Sequence, residues 1–423
     1  MNKPYCVVSC PVDTFSGYGA RSRDFVKALV KLKGEEWDIQ IISQRWGECP
    51  YGALDVNDPE EADLLGRIMN TPQMSKQPDV WFQITVANEF QPIGKFNIGV
   101  SALVETTVLP GDLIEGINRM DLSIVSSKFV KQVADQTSFE KLDQNTKQKT
   151  GIVKVSKPIE VLFEGVDNRK YKRIEKSNFD LSNIKEEFCF LTVGHWLTGD
   201  LGEDRKQITT LVKSFLEAFK DKKKRPALIL KTGMAGFSIM EEEVILDQID
   251  VIRGLVGGDM PNIYFLHGEL TDEEMNHLYN HEKVKAFALV GNEGFGRPYL
   301  EFSAASSKPI ICSPFSGHID FLNEEFNIFV TGKVDQIHPS ASNPFLIKES
   351  SWFKADPKSV EASLKEVYEN YNKYVDMGKR QGHISRTKFS FDSMVDRLKE
   401  ILDSKLPKIS VAQPINLPKL KSL

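Results

Sequence analysis

The chain is short of cysteine, of long apolar runs and of excess basic charge, and each shortage removes a class of protein. Its five cysteines (Cys6, Cys10, Cys49, Cys189 and Cys312) are odd in number and widely scattered over 423 residues, which argues against a disulfide framework and suits reduced thiols. Cys6 and Cys10 have no second Cys or His pair to complete a zinc site, so no metal ligand is assigned. No run of about 18 apolar residues is present to cross a bilayer. Residues 1–10 carry one lysine and lead into a polar stretch at Asp13 instead of the apolar core of a secretion signal; the expectation is cytoplasmic residence. With 54 basic against 59 acidic residues the net charge is −5, so the overall basic footprint of a dedicated nucleic-acid binder is missing.

What is there is an ordinary globular composition, 41% hydrophobic and 27% charged, in a chain longer than one hydrophobic core usually supports. Two domains are expected. Strand-like runs at 5–9, 38–42, 79–84, 96–102, 122–126 and 160–163 alternate with helical stretches at 20–32, 60–69 and 128–136. A second series follows, with strands at 188–193, 227–231, 263–266, 286–289 and 309–312 and helices at 208–219, 241–255, 272–279 and 299–306. Such alternation predicts α/β architecture: two doubly wound, Rossmann-like parallel sheets with a cleft at the carboxyl ends of both sets of strands. The expected division is 1–165 for the first domain, 166–187 for a charged linker, and 188–385 for the second domain. Residues 386–405 are expected to form a helix returning to the first domain, ahead of a tail at 406–423. The last hundred residues are expected to hold helices at 357–378 and 391–402.

The sharpest local signal is Asn292-Glu293-Gly294-Phe295-Gly296-Arg297-Pro298-Tyr299-Leu300-Glu301, placed after an apolar strand and at the start of a helix. Gly294 and Gly296 allow close backbone approach to a ligand, Pro298 suits a first helical turn, and the helix start attracts anions. Glu293 and Glu301 can each accept hydrogen bonds from hydroxyls. This stretch resembles the Glu-x7-Glu pattern, E-G-F-G-x-P-x-x-E, of the family-4-like retaining glycosyltransferases of the GT-B fold, and every fixed position matches. The resemblance implies that Glu293 contacts the transferred sugar, that the loop of Gly294, Phe295, Gly296 and Arg297 contacts sugar and phosphate, and that Glu301 binds the nucleotide ribose.

Other segments extend the resemblance. Gly194-His195-Trp196 followed by Asp204-Arg205-Lys206 is similar to the family's loop that grips the donor diphosphate, which implies that role for Lys206 and next for Arg205. His195 stands where many relatives have arginine, and a neutral imidazole is the weaker grip. Phe15-Ser16-Gly17-Tyr18-Gly19-Ala20 resembles the glycine-rich turn that closes over the donor from the opposite domain, with Gly17 and Gly19 making the turn and a helix starting near Ala20. Val104-Glu105-Thr106-Thr107 resembles a cleft-facing strand end; Glu105 and Tyr18 are assigned to the acceptor side. No histidine precedes His195, so the N-domain histidine of many relatives is lacking. The loop His267-Gly268-Glu269-Leu270 matches the one that holds the nucleobase, and His318 is expected to be structural or at the rim.

The function implied by the resemblance is retaining transfer of a sugar from a nucleoside diphosphate sugar, the expected donor being a UDP-sugar, with no further cofactor and no required metal. A front-face route assisted by the donor phosphate leaves no general base to assign. The opening segment and the Glu105 region look similar to glycosyltransferases of large tailed bacteriophages. That similarity implies double-stranded DNA bearing hydroxylated or hydroxymethylated cytosine as acceptor and a host cytoplasm as the place of action. Basic clusters at Lys141, Lys147, Lys149, Lys154 and Lys157, at residues 169–176, and at residues 220–225 would meet phosphates. The alternatives are a glycan, lipid or protein acceptor, a glycoside hydrolase built on two carboxylates, and a binding module without turnover.

Overall fold

The computed structural model describes residues 3–143, 145–197, 199–234 and 236–409. Its first half runs β1 (Tyr5–Cys10), α1 (Gly17–Lys33), β2 (Asp38–Ser43), α2 (Pro59–Arg67), β3 (Val80–Ile84), β4 (Phe96–Ser101), α3 (Gly111–Arg119), β5 (Leu122–Val125), α4 (Lys128–Gln136), a hairpin of β6 (Ser138–Leu142) and β7 (Lys149–Lys154), then β8 (Ile159–Val161). The second half runs β9 (Cys189–Val193), α5 (Ile208–Phe219), β10 (Ala227–Lys231), α6 (Ile239–Val256), β11 (Ile263–Leu266), α7 (Asp272–Asn280), β12 (Val284–Ala288), α8 (Arg297–Ser306), β13 (Ile310–Cys312), β14 (Ile328–Phe329), a hairpin of β15 (Gly332–Gln336) and β16 (Ser351–Ala355), and α9 (Pro357–Glu369), α10 (Tyr371–Lys388) and α11 (Phe391–Lys405).

Each half builds one six-stranded parallel sheet, ordered β2-β1-β3-β4-β5-β8 and β11-β10-β9-β12-β13-β14. A parallel sheet is covered on both faces, so its strands must be apolar throughout. In β1 every residue is buried: Cys6, Val8 and Cys10 join the core on one face, Tyr5 and Val7 the core on the other. Strand β3 divides likewise, with Val80, Phe82 and Ile84 on the first face and Trp81 on the second. Burial pushes the Cys10 thiol up to about 12 and Cys6 higher still, so both are inert core side chains.

Helix α11 belongs to the first core. Met394, Val395, Leu398, Ile401 and Leu402 lie at helical spacing and pack with Phe25, Leu29 and Phe82; Leu406 and Ile409 continue the contact. The remainder of the expected tail, residues 410–423, lies outside the described residues. The expected single helix at 357–378 is in fact two, because Asn370 leaves helical geometry (φ −119°, ψ 33°) and ends α9. Helix α10 runs on to Lys388, past the expected boundary at 386, and the returning helix starts at Phe391.

Residues 166–187 carry little regular structure but are no free tether. Val166, Tyr171, Leu181 and Ile184 are buried in the second core, and the Lys172 and Ile174 amides donate to Asn276 and Asn280 of α7. Two of the five basic residues of the cluster at 169–176 are paired with carboxylates: Arg169 with Glu60 and Asp167, and Lys170 with Glu61 and Asp272. The hairpin lysines Lys141, Lys147, Lys149 and Lys154, with Lys157 beyond it, are exposed, although Lys149 pairs with Glu140.

Candidate active site

In a doubly wound sheet the crevice opens where the strand order reverses, because the loops of the two strands there leave in opposite directions. The reversal falls between β1 and β3 in the first sheet and between β9 and β12 in the second. The segment after β1 carries Ser16 and the first helical residues Gly17 and Tyr18, the loop after β9 carries His195, Arg205 and Lys206, and the loop after β12 carries Glu293 to Gly296. All face one interdomain cleft of about 1060 Å³. Every residue individually assigned to the donor or acceptor from the sequence lines it except Gly19.

The two glycines of the first loop do different work from that expected. Helix α1 starts at Gly17 rather than near Ala20, because the Ser16 hydroxyl accepts the Gly19 amide and caps the helix. Gly17 faces the cleft, and a methyl group added to its Cα would meet nothing within 4 Å, whereas Gly19 sits against the Thr14 carbonyl inside the first helical turn. Tyr18 is anchored by its hydroxyl, which hydrogen bonds Ser101 Oγ at 3.0 Å and accepts the Ala102 amide at 3.0 Å. Its ring stacks on Trp46 at 4.0 Å.

From the second domain, Gly296 takes a left-handed conformation (φ 94°) that only glycine adopts without strain, and Pro298 occupies the first turn of α8. The loop is braced from behind: the Gly317 amide donates to the Glu293 carbonyl at 2.7 Å, and the Glu293 amide donates to Ser316 Oγ at 2.9 Å. Two helix N-termini, of α1 and α8, therefore meet the cleft from opposite domains, a disposition that favours an anion between them.

Charges in the cleft are paired in a definite way. Lys206 Nζ donates to Glu293, and Arg205 donates to Glu105 of the first domain. Burial opposes ionisation of Glu293, but the Lys206 and Arg205 charges outweigh it and hold the carboxyl below its usual range. Glu105 is raised, mainly by burial, with Arg205 opposing and Glu293 adding to the rise. His195 is driven down to about 4 by burial and then by Lys206, so it is neutral near pH 7. Its Nδ1 is buried without a hydrogen-bond partner among the described residues. Leu270 lines the cleft beside Lys231, whose ammonium donates to the Gly268 carbonyl at 2.6 Å and lies over the Phe237 ring.

Glu301 accepts from Arg297 Nε at 2.6 Å. Burial, then the Asp272 and Asp24 charges, push its carboxyl up to about 7 against the pull of Arg297. A carboxyl raised in the folded state holds its proton more tightly there than in the unfolded chain, where the value is 4.5. Its contribution to stability is complete below that value and is lost as the pH rises through about 7. Glu301→Gln, which mimics the protonated form, is therefore expected to raise the urea midpoint at pH 8 and to leave it unchanged at pH 4. A midpoint shifted equally at both pH values would show that burial of the charge is not what matters.

Two carboxylates that pattern reading passed over stand against Arg297, Glu164 lining the cleft and Asp24 outside it. Asp24 and Glu164 approach Arg297 NH1 at 2.6 and 3.8 Å. Glu164 follows the last strand of the first sheet, so the carboxyl-end rule for parallel sheets was the available signal; Asp24, inside α1, has none. His318 is not at the rim: it is fully buried, with Nε2 against the Ser313 carbonyl at 2.8 Å.

The arrangement matches solved structures over almost its whole length. HepE of Anabaena, in complex with UDP and glucose, aligns over 95% of this chain and 100% of its own with a TM-score of 0.60 at 12% identity. Sucrose-phosphate synthase of Thermosynechococcus elongatus aligns over 95% and 98% with a TM-score of 0.60 at 12% identity. A glycosyltransferase of Rickettsia africae aligns over 96% and 100% with a TM-score of 0.55 at 14% identity. The fold is GT-B. No protein-family model and no curated protein matches the chain. Among the described residues, no helix of this GT-B chain is long and apolar enough to cross a membrane.

Proposed function

We propose that the chain is a retaining glycosyltransferase that takes its sugar from a nucleoside diphosphate sugar, a UDP-sugar. The observation that carries this reading is the pairing of Lys206 with Glu293 and of Arg205 with Glu105 in the cleft that both helix N-termini line. An arriving diphosphate competes for the two cations and releases Glu293 to accept hydrogen bonds from the sugar hydroxyls. As the glycosidic bond breaks, charge grows on the departing phosphate, and the fixed cations of the cleft stabilise it. Glu301 takes the ribose, and the loop 267–270 the base. The complexes of HepE with UDP and glucose and with UDP-glucose support a donor of this class.

A glycoside hydrolase needs one carboxyl kept protonated to serve the leaving oxygen. Glu301 and Glu105 are raised here, so the carboxyls alone do not separate the two readings; the fixed cations Lys206 and Arg205 do, because they suit an anionic leaving group. The depression of Glu293 makes it a poor proton acceptor, in keeping with a route assisted by the donor phosphate.

For the acceptor, the proposal is hydroxylated or hydroxymethylated cytosine in DNA. Support comes from the exposed lysines of the β6–β7 hairpin in the first domain, which add a salt-dependent grip on phosphates. The Tyr18–Trp46 pair at the cleft offers rings to a base turned out of its stack. The test is mass spectrometry of hydroxymethylcytosine DNA and plain DNA after incubation with a panel of UDP-sugars. Sugar added only to the modified DNA is expected. Release of UDP without any DNA product would remove the DNA acceptor and leave the donor reading; no binding of UDP would remove both.

A further inference from the structure

Arg297 is the variable position inside the E-G-F-G-x-P motif, and its side chain does not reach toward the cations of the diphosphate region. It crosses to the first domain. Nε donates to Glu301 at 2.6 Å within α8, while NH1 lies 2.6 Å from Asp24 of α1 and 3.8 Å from Glu164 at the end of the first sheet. All four side chains are largely buried, at 20, 14, 12 and 11% exposure for Arg297, Asp24, Glu164 and Glu301. A planar guanidinium can serve two carboxylates along different edges at once, which a lysine ammonium does with much less directional constraint.

We propose that Arg297 is an interdomain latch and a positioning residue: it holds the two domains closed through Asp24 and Glu164 while fixing the carboxylate of Glu301. The second part rests on the reading of Glu301 as the ribose ligand; the first does not. Asp24 is not among the residues lining the cleft, so it touches no donor and can report on the latch alone. Closing the cleft brings Asp24 to Arg297 and in the same movement fixes Glu301, so donor affinity and domain closure become linked quantities. Burial lowers Arg297 but the surrounding carboxylates outweigh it and keep the guanidinium charged.

The experiment compares wild type, Asp24→Asn, Arg297→Met and Arg297→Lys by small-angle scattering without ligand, and by calorimetric titration with UDP. Asp24→Asn is nearly isosteric and leaves the Arg297 and Glu301 side chains present, which guards against a variant that merely fails to fold. Both Asp24→Asn and Arg297→Met are expected to show a larger radius of gyration than wild type and to bind UDP at least about tenfold more weakly, a difference of about 1.4 kcal/mol. Arg297→Lys is expected to recover closure in part, and UDP affinity less, because one ammonium cannot hold both carboxylates in place. Scattering curves for Asp24→Asn and Arg297→Met that superimpose on wild type would overturn the latch, whatever the UDP affinity. Expanded variants that bind UDP as tightly as wild type would overturn its positioning role. If Glu301→Gln also binds UDP normally, the ribose reading fails while the expanded scattering keeps the latch.

Discussion

Lys206→Ala is expected to lower the turnover of a nucleoside diphosphate sugar by about 10²–10³-fold, the usual consequence of removing one preorganised group that stabilises developing charge. The lysine is buried, with 8% of its side chain exposed, and its ammonium is held on the Glu293 carboxylate. Its stem packs beside Gly194, so the charge is delivered to one place with little freedom to stray. The same substitution strands Glu293, which is 9% exposed, with only the more distant field of Arg205 to answer it. Breaking a buried pair in this way typically costs about 3–5 kcal/mol of stability, so loss of activity alone would be ambiguous. The double variant Lys206→Met with Glu293→Gln separates the two effects, because it removes both charges at similar volume. Its urea midpoint is expected to return most of the way to wild type while released nucleotide, followed by chromatography, stays at the level of the single variant. Near wild-type turnover in folded Lys206→Ala would remove the lysine from the diphosphate site.

The parts of this architecture that were legible from sequence are those written in local pattern. Apolar runs such as residues 227–230 and 263–266 read as strands of a covered parallel sheet, and they fall in β10, which is buried, and in β11, a half-buried edge strand. Gly296 and Pro298 marked a strand-loop-helix junction since one permits a left-handed residue and the other a helix start, and both are used so. What was illegible depends on distance. The hairpin β15–β16 holds the cleft from behind through Thr107, whose amide donates to the Ser351 carbonyl at 2.9 Å across 244 residues. The convergence of Asp24, Glu164 and Arg297 has no spacing rule, because it arises only once two sheets face each other. Gly-x-Gly at 17–19 misled for a physical reason: a glycine that opens a turn and a glycine that lets a helix pass close to a carbonyl are identical in sequence.

Gly291→Ala is expected to disable the site from a position that touches no ligand. Gly291 follows β12 by three residues, and a methyl group there would overlap the backbone of Lys206, at its Cα, carbonyl carbon and carbonyl oxygen. Neither partner can retreat easily. The Asn292 amide donates to the Arg205 carbonyl at 3.2 Å, its side chain exchanges hydrogen bonds with the Phe353 backbone at 3.0 and 3.1 Å, and Ser313 Oγ donates to the Gly291 carbonyl at 2.8 Å. The Asn292–Arg205 bond ties the loop that carries Lys206 to the loop that carries Glu293, and the bonds to Phe353 and Ser313 hold the latter from its other side, so the inserted atom must drive the loops apart. Overpacking of this kind costs about 1–3 kcal/mol, and more where backbone and not side chain must yield. A displacement of the two loops by about 1 Å is enough to lower turnover roughly 10²-fold. Gly17→Ala makes the contrasting case, since nothing lies within 4 Å of its added methyl group and its position is helical; its thermal midpoint is expected to equal or exceed that of wild type. Measured side by side by calorimetry and by UDP titration, Gly291→Ala should lose both stability and donor binding. A Gly291→Ala protein with wild-type values for both would mean that the close backbone contact between the two loops is not what aligns Lys206 with Glu293.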